Sequence, residues 1–236
     1  TLPKGPQVDY SLCGLFGDIY KVISSKELME RKQLADLTVK CLVLKYTEEE
    51  CQYMKSADYK AEINYIVSNK ERNKFIVNLA LSLEGNTIVF FNYVEKHGQV
   101  LYEMLQKKVK NGRKVFYIHG GTDVEEREQI RKILEQESNA ILVGSVGVLS
   151  TGTNIVALDN VIFASPSKSK IRNLQSVGRG LRISEKKQSA TLFDIADDFS
   201  HKKRENYTLK HFMERIKTYS EEGFKFKIYK IDMKDK

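Results

Sequence analysis

Between residues 87 and 195 the chain alternates short runs of apolar, β-favouring residues with stretches of about a dozen residues carrying helical periodicity. The strand-like runs fall at 87–91, 114–118, 140–143, 160–164 and 189–195, and helical patterns fill 94–109, 124–136 and 169–178. Strands of this length separated by helices require crossover connections, and therefore a parallel sheet with helices on both faces. The fold class predicted is α/β. At the start of the 124–136 helix, Asp123 and Glu126 have the spacing of a capping box.

Either side of this core the pattern changes. Residues 1–36 begin with turn formers (Pro3, Gly5, Pro6, Gly14, Gly17) and end in a short helix at 25–35, followed by a strand at 39–46. Thr47 and three glutamates open a helix, and two more helices are predicted at 57–67 and 69–83; in the second, Phe75, Ile76, Leu79, Ala80 and Leu83 share one stripe. Beyond 200 come a helix at 208–219, with Leu209, Phe212, Ile216 and Tyr219 along one side, and an alternating segment from Phe224 to Ile228. That alternation predicts an edge strand with a cationic outer face. The expected organisation is a connector and strand over 1–46, a main lobe over 47–200 and a basic extension over 201–236.

Charge narrows the function. The 236 residues hold 39 Lys and Arg against 31 Asp and Glu, a net +8, and residues 201–236 alone hold eleven basic and six acidic residues. A basic tail of this kind suits a polyanion, most commonly nucleic acid, or else keeps the chain solvated. No apolar run approaches the roughly 18 residues needed to cross a bilayer, and Cys13, Cys41 and Cys51 are too few and too scattered for a disulfide framework or a four-ligand zinc site. A cytoplasmic location is expected, without membrane association.

Three segments carry candidate chemistry. In Gln175-Ser-Val-Gly178-Arg179-Gly-Leu-Arg182 two guanidinium groups stand one helical turn apart with an amide a turn earlier, a grouping that suits a triphosphate because arginine donates in a fixed fork. The alternative is a pair of surface arginines at a helix C-terminus. Residues 144–154, rich in Gly, Ser and Thr, directly follow a strand and either cradle a phosphate at the carboxyl edge of the sheet or form an ordinary strand-to-helix loop. Asn92 and His97, then His119-Gly120-Gly121-Thr122, then Ser145, place a row of helix starts at the same edge, suited to a sugar-phosphate backbone; His97 and His119 individually read better as structural.

Together these segments resemble the second RecA-like lobe of superfamily 2 helicases: Gln175-x-x-Gly178-Arg179-x-x-Arg182 is similar to motif VI, 145–154 to motif V and 87–92 to motif IV, in that order. Gly14-Leu-Phe-Gly17-Asp-Ile-Tyr-Lys21, Lys168-Ser-Lys170-Ile171 and Asp194-Ile-Ala-Asp197-Asp198 resemble the C-terminal half of phage UvsW-type recombination helicases, over nearly the whole chain. The resemblance implies that Arg179 and Arg182 act as arginine fingers, with Gln175 ordering the same surface. It places Gly152, Asn154 and Gly178 near the nucleotide. It gives DNA-backbone contacts to Asn92, Gly121, Thr122, Ser145 (where the motif usually has Thr) and Lys168, and the tail residues Lys202, Lys203, Arg204, Lys225 and Lys227 are expected to join them on charge.

The sequence contains neither a G-x-x-x-x-G-K-[ST] phosphate loop nor an acidic magnesium box, and Thr1-Leu2-Pro3 resembles the end of motif III. The expectation is the C-terminal motor lobe of an ATP-dependent DNA helicase that remodels branched DNA. ATP and Mg would be held mainly by a first RecA-like lobe, and the isolated chain would not turn over ATP. For a phage protein the location would be the host cytoplasm. Two other readings share these features: a nucleic-acid-binding module without motor activity, and a translocase that moves on duplex DNA without separating strands. Asp197 and Asp198 are expected to be structural or to make interlobe polar contacts.

Overall fold

The computed structural model describes residues 13–14, 36–110, 112–149, 158–166 and 189–233. Seven strands form one sheet: β1 (Asp36–Lys45), β2 (Thr87–Phe91), β3 (Val115–Ile118), β4 (Ile141–Ser145), β5 (Asn160–Phe163), β6 (Ser189–Asp198) and β7 (Lys225–Asp232). Their order is β3-β4-β2-β5-β6-β1-β7, and every neighbouring pair is parallel. The helices are α1 (Glu48–Met54), α2 (Tyr59–Ser68), α3 (Lys70–Ser82), α4 (Gln99–Lys108), α5 (Val124–Gln136), the single turn α6 (Val146–Leu149) and α7 (Tyr207–Glu221). A π-helical turn, Val94–Gly98, precedes α4.

Period-2 alternation along the strands sorts the side chains into two cores. On one face Leu37, Val39, Cys41 and Val43 of β1 join Ile88, Leu142, Val161 and Leu192 beneath α5 and α7. On the other, Leu42 and Leu44 join Ile141, Val143, Ile162 and Ile195 beneath α3 and α4. Full burial on both faces explains why the central strands read as continuous apolar runs: β2, β4 and β5 are buried at every position. No helix among the described residues is long and apolar enough to cross a membrane.

Among the described residues the expected elements are present with small shifts, and four differences are informative. The predicted helix over 94–109 is two elements, because the π-helical turn brings Gly98 against β2; a Cβ there would stand 2.5 Å from the Phe91 ring. Asp123 does begin α5, yet its side chain makes no capping hydrogen bond, so the capping box with Glu126 does not form. The box forms instead at Thr47 and Glu50, at the start of α1. Finally, the sheet runs across both expected divisions, at 46/47 and 200/201: β1 lies between β6 and β7, and β7 is an edge strand of that same sheet. The predicted helices at 25–35 and 169–178 lie outside the described residues.

Candidate nucleic-acid and nucleotide interface

All strands being parallel, every strand-to-helix loop opens at one edge. In strand order these are His119–Thr122 after β3, Ser145 after β4, Asn92 after β2, Ser165 after β5, Asp198–Arg204 after β6 and Thr47 after β1. From the β3 loop to the β6 loop is four strand spacings, about 19 Å at the usual separation.

Asn92 is exposed at the middle of this edge. Its backbone N–H donates to Ser165 Oγ at 3.1 Å and its Nδ2 donates to the Pro166 carbonyl at 3.4 Å, tying the β2 and β5 loops together. Behind it, His97 is fully buried, with Nδ1 2.8 Å from Ser165 Oγ and Nε2 3.2 Å from Asn73 Oδ1. The carboxamide oxygen of Asn73 can only accept, because its Nδ2 donates to the Val67 carbonyl at 3.0 Å. The proton therefore belongs on Nε2, leaving Nδ1 to accept from the Ser165 hydroxyl. Burial, helped by the neighbouring Arg72 cation, lowers the His97 pKa to about 3, so the ring is neutral at physiological pH. His97 is a support behind the edge, not a contact on it.

Ser145 ends β4 in register with Phe91, next to Asn92, and is buried apart from a small fraction of its surface. In the β3 loop, His119 N–H donates to Thr122 Oγ1 at 3.0 Å, and Gly121 N–H donates to His119 Nδ1 at 3.1 Å. Thr122 is buried while Gly120 and Gly121 are exposed. Thr122 thus holds the loop closed, and the exposed backbone is that of the two glycines. Lys202 and Lys203 form the tip of a two-residue turn closed by reciprocal 3.0 Å backbone bonds between His201 and Arg204; Lys202 adopts φ +55°. Arg204 is exposed, with Nη2 donating to the Ala57 carbonyl at 3.1 Å. The structure therefore sets Asn92, Gly121, Ser145 and the Lys202–Arg204 turn along one edge. Gln175, Arg179, Arg182, Gly152, Asn154, Gly178 and Lys168 lie outside the described residues.

The acidic residues of β6 itself are fully engaged. Asp197 accepts from Arg72 Nε at 2.7 Å, Arg72 Nη2 at 3.0 Å and the Tyr46 hydroxyl at 2.8 Å, all buried. Burial by itself would lower the Arg72 pKa, but Asp197 and Tyr46 outweigh it and the net shift is upward. On the opposite face Asp194 accepts from Arg215 Nε and Nη2, each at 2.8 Å, and from the Tyr219 hydroxyl at 3.0 Å. Asp198 pairs with Lys45 at 2.6 Å. With these partners the three carboxylates are spoken for within the lobe, and they do not fit a magnesium-binding role. Sequence reasoning missed Arg72, Glu62 and Arg215; a charged residue within an otherwise apolar helix stripe was the only local signal.

An open parallel sheet with its strand-to-helix loops gathered at one carboxyl edge is the architecture of a RecA-like lobe. Residues 71–184 match the helicase conserved C-terminal domain family. The chain is a C-terminal lobe of the superfamily 2 helicase type. It is 33% identical, over an alignment 233 positions long that covers 93% of this chain, to the ATP-dependent DNA helicase uvsW of Enterobacteria phage T4. It is also 26% identical over 74% of its length to putative helicase 161L of Invertebrate iridescent virus 6. The crystal structure of T4 UvsW superimposes with a TM-score of 0.74 at 32% identity, over 93% of this chain and 44% of that one. The chain spans 46% and 39% of the two curated relatives, less than half of either.

Proposed function

We propose that this lobe is the second half of an ATP-driven DNA motor, working against a first RecA-like lobe that carries the phosphate loop and the magnesium ligands. The likeness to the phage T4 helicase over 93% of the chain carries this reading. Bound ATP with its metal supplies the phosphoryl group and its charge. The contribution of this chain is Arg179 and Arg182, whose guanidinium forks neutralise charge on the phosphates when the lobes close, with Gln175 ordering the same surface. Gly152, Asn154 and Gly178 line the cleft on this side.

The edge formed by exposed Asn92, Gly121 and the Lys202–Arg204 turn, with the largely buried Ser145 offering its hydroxyl between them, grips the sugar-phosphate backbone, joined by Lys168, while buried Thr122 holds the β3 loop in shape. A backbone grip reads no bases, which suits a motor acting on branched DNA of varied sequence. Motor and substrate share the cytoplasm, that of the host for a phage protein. The test supplies a first lobe in trans and measures DNA-stimulated ATP hydrolysis. The wild-type chain restores turnover and Arg179→Ala does not; turnover by the purified chain alone, or equal rescue by the variant, would reject the two-lobe assignment.

A further inference from the structure

Beside the phosphate-facing edge the surface changes character. Tyr59 begins α2, Tyr207 begins α7, and their rings pack edge to face with centroids 6.1 Å apart. Tyr59 packs in the same way on His211, one turn further along α7, at 5.4 Å. Tyr59 and Tyr207 nevertheless remain 39% and 41% exposed, and Tyr93, the residue after Asn92, is 38% exposed.

Two large aromatic rings left partly uncovered side by side offer an apolar patch suited to a partner. Hydrogen bonding draws cations to the same patch. Arg204 reaches the Ala57 carbonyl, just ahead of α2, and Lys96 lies 3.5 Å from Asn64 Oδ1 of α2. Lys203 and Lys210 are exposed on either side of Tyr207. Of the acidic residues nearby, Glu62 is buried and saturated by the N-terminus of α7, while Asp58 and Glu205, which flank Tyr59 and Tyr207 in sequence, and Glu95 beside Lys96 are exposed. The patch is thus aromatic with a rim in which exposed basic residues (Lys60, Lys96, Lys203, Arg204, Lys210) outnumber exposed acidic ones (Asp58, Glu95, Glu205), and Tyr207 follows closely on the Lys202–Arg204 turn of the backbone-gripping edge.

We infer that Tyr59 and Tyr207 form a stacking platform for unpaired bases of single-stranded nucleic acid, taking the strand as it leaves the sheet edge. The inference rests on the reading that the edge binds nucleic acid, and adds a base-contacting surface to it. Every base has a π face, so stacking of this kind tolerates any sequence, whereas the bases of a duplex are stacked on one another and do not engage it. Phosphates between the stacked bases meet Arg204, Lys203 and Lys96.

The test uses the 236-residue chain with fluorescently labelled single-stranded and duplex oligonucleotides, and with 2-aminopurine in the single strand as a stacking reporter. Tyr59→Leu and Tyr207→Leu keep apolar bulk and remove the ring; Tyr59→Phe and Tyr207→Phe keep the ring. The leucine variants are expected to lose roughly 5- to 150-fold in single-strand affinity per stacked base and to abolish 2-aminopurine quenching. The phenylalanine variants stay within about twofold of wild type. Duplex affinity and the slope of log K against log salt should not move, because every cation that meets a phosphate is retained.

Leucine variants that bind single strands as wild type does, phenylalanine variants that lose as much as leucine, or a reduced salt slope would each overturn the platform. Leucine variants that change only self-association would show that a second copy covers the tyrosines, and would overturn it too. If the wild-type chain binds neither oligonucleotide, the nucleic-acid reading of the edge falls and takes the platform with it. Intact wild-type binding with unmoved leucine variants removes the platform alone.

Discussion

Glu62, on α2, closes the N-terminus of a helix 146 residues further along the chain: its Oε1 accepts from the Thr208 backbone N–H at 2.7 Å and from the Thr208 hydroxyl at 2.6 Å. Oε2 takes the Tyr207 N–H at 3.0 Å, and Asn206, the N-cap of α7, donates its Nδ2 to Oε1 at 2.8 Å rather than capping the helix itself. A carboxylate at this position satisfies orphan amides and meets the positive end of the helix dipole. The basic C-terminal segment is thereby fastened to the lobe.

Glu62→Ala strips those amides of their acceptor in a buried setting. Such a loss costs about 1–3 kcal/mol, read as a lower urea midpoint, and amide exchange over residues 207–212 should accelerate more than exchange in the central strands. Uniform acceleration across the sheet would contradict a local capping role.

Arg215 and Asp194 are both buried, 21 residues apart, and joined by two hydrogen bonds. Removing one partner leaves a charge without compensation, so Arg215→Leu should destabilise by about 3–5 kcal/mol. Converting both residues to apolar ones (Arg215→Leu with Asp194→Leu) should recover a substantial part of that loss. A double-mutant cycle checks this: a coupling energy near zero would mean the pair contributes only as bulk.

His97 makes stability depend on acid. Its folded pKa, about 3, lies below the unfolded value near 6.5, so between those limits the unfolded chain binds more protons. Stability contributed by the neutral ring is complete above about pH 6.5 and falls as pH drops toward 3, by at most about 1.4 kcal/mol per pH unit. His97→Gln, compared with wild type in urea titrations at pH 7 and pH 5, should flatten that difference; an identical pH slope in both proteins would show that carboxylates alone set it.

The basic tail divides in two. Lys202 and Lys203 stand at the carboxyl edge, whereas Lys225 and Lys227 pair in register with Thr38 and Lys40 toward the amino ends of the strands. A backbone track on the carboxyl edge reaches only the first pair. Lys202→Asn with Lys203→Gln (asparagine tolerates the positive φ at 202) should weaken duplex binding and reduce the log K–log salt slope by about 0.9 for each phosphate no longer neutralised. Lys225→Gln with Lys227→Gln should leave the slope unchanged, and fluorescence anisotropy across a salt series separates the two outcomes.

Much of the architecture was readable in advance because its causes are local. The apolar runs at 87–91 and 160–164 became buried strands, the stripe through Phe75, Ile76 and Ala80 became the inner face of α3, and Phe212 and Tyr219 became the buried side of α7. The row of loops holding Asn92, Gly121 and Ser145 followed from parallel pairing alone. The Asp123 capping box failed because capping depends on a side-chain rotamer that spacing does not specify, and the pairing of β7 with β1 is made at long range, which local patterns do not carry.

The sequence by itself determined the order and type of the elements, since periodicity and turn chemistry act over a few residues. Only the tertiary structure decided which charges meet: Arg72 with Asp197 across 125 positions, Glu62 with the start of α7, and a neutral His97 between Asn73 and Ser165. Such pairings depend on burial, which makes an unmatched charge costly, and burial does not exist until the helices have closed over the sheet.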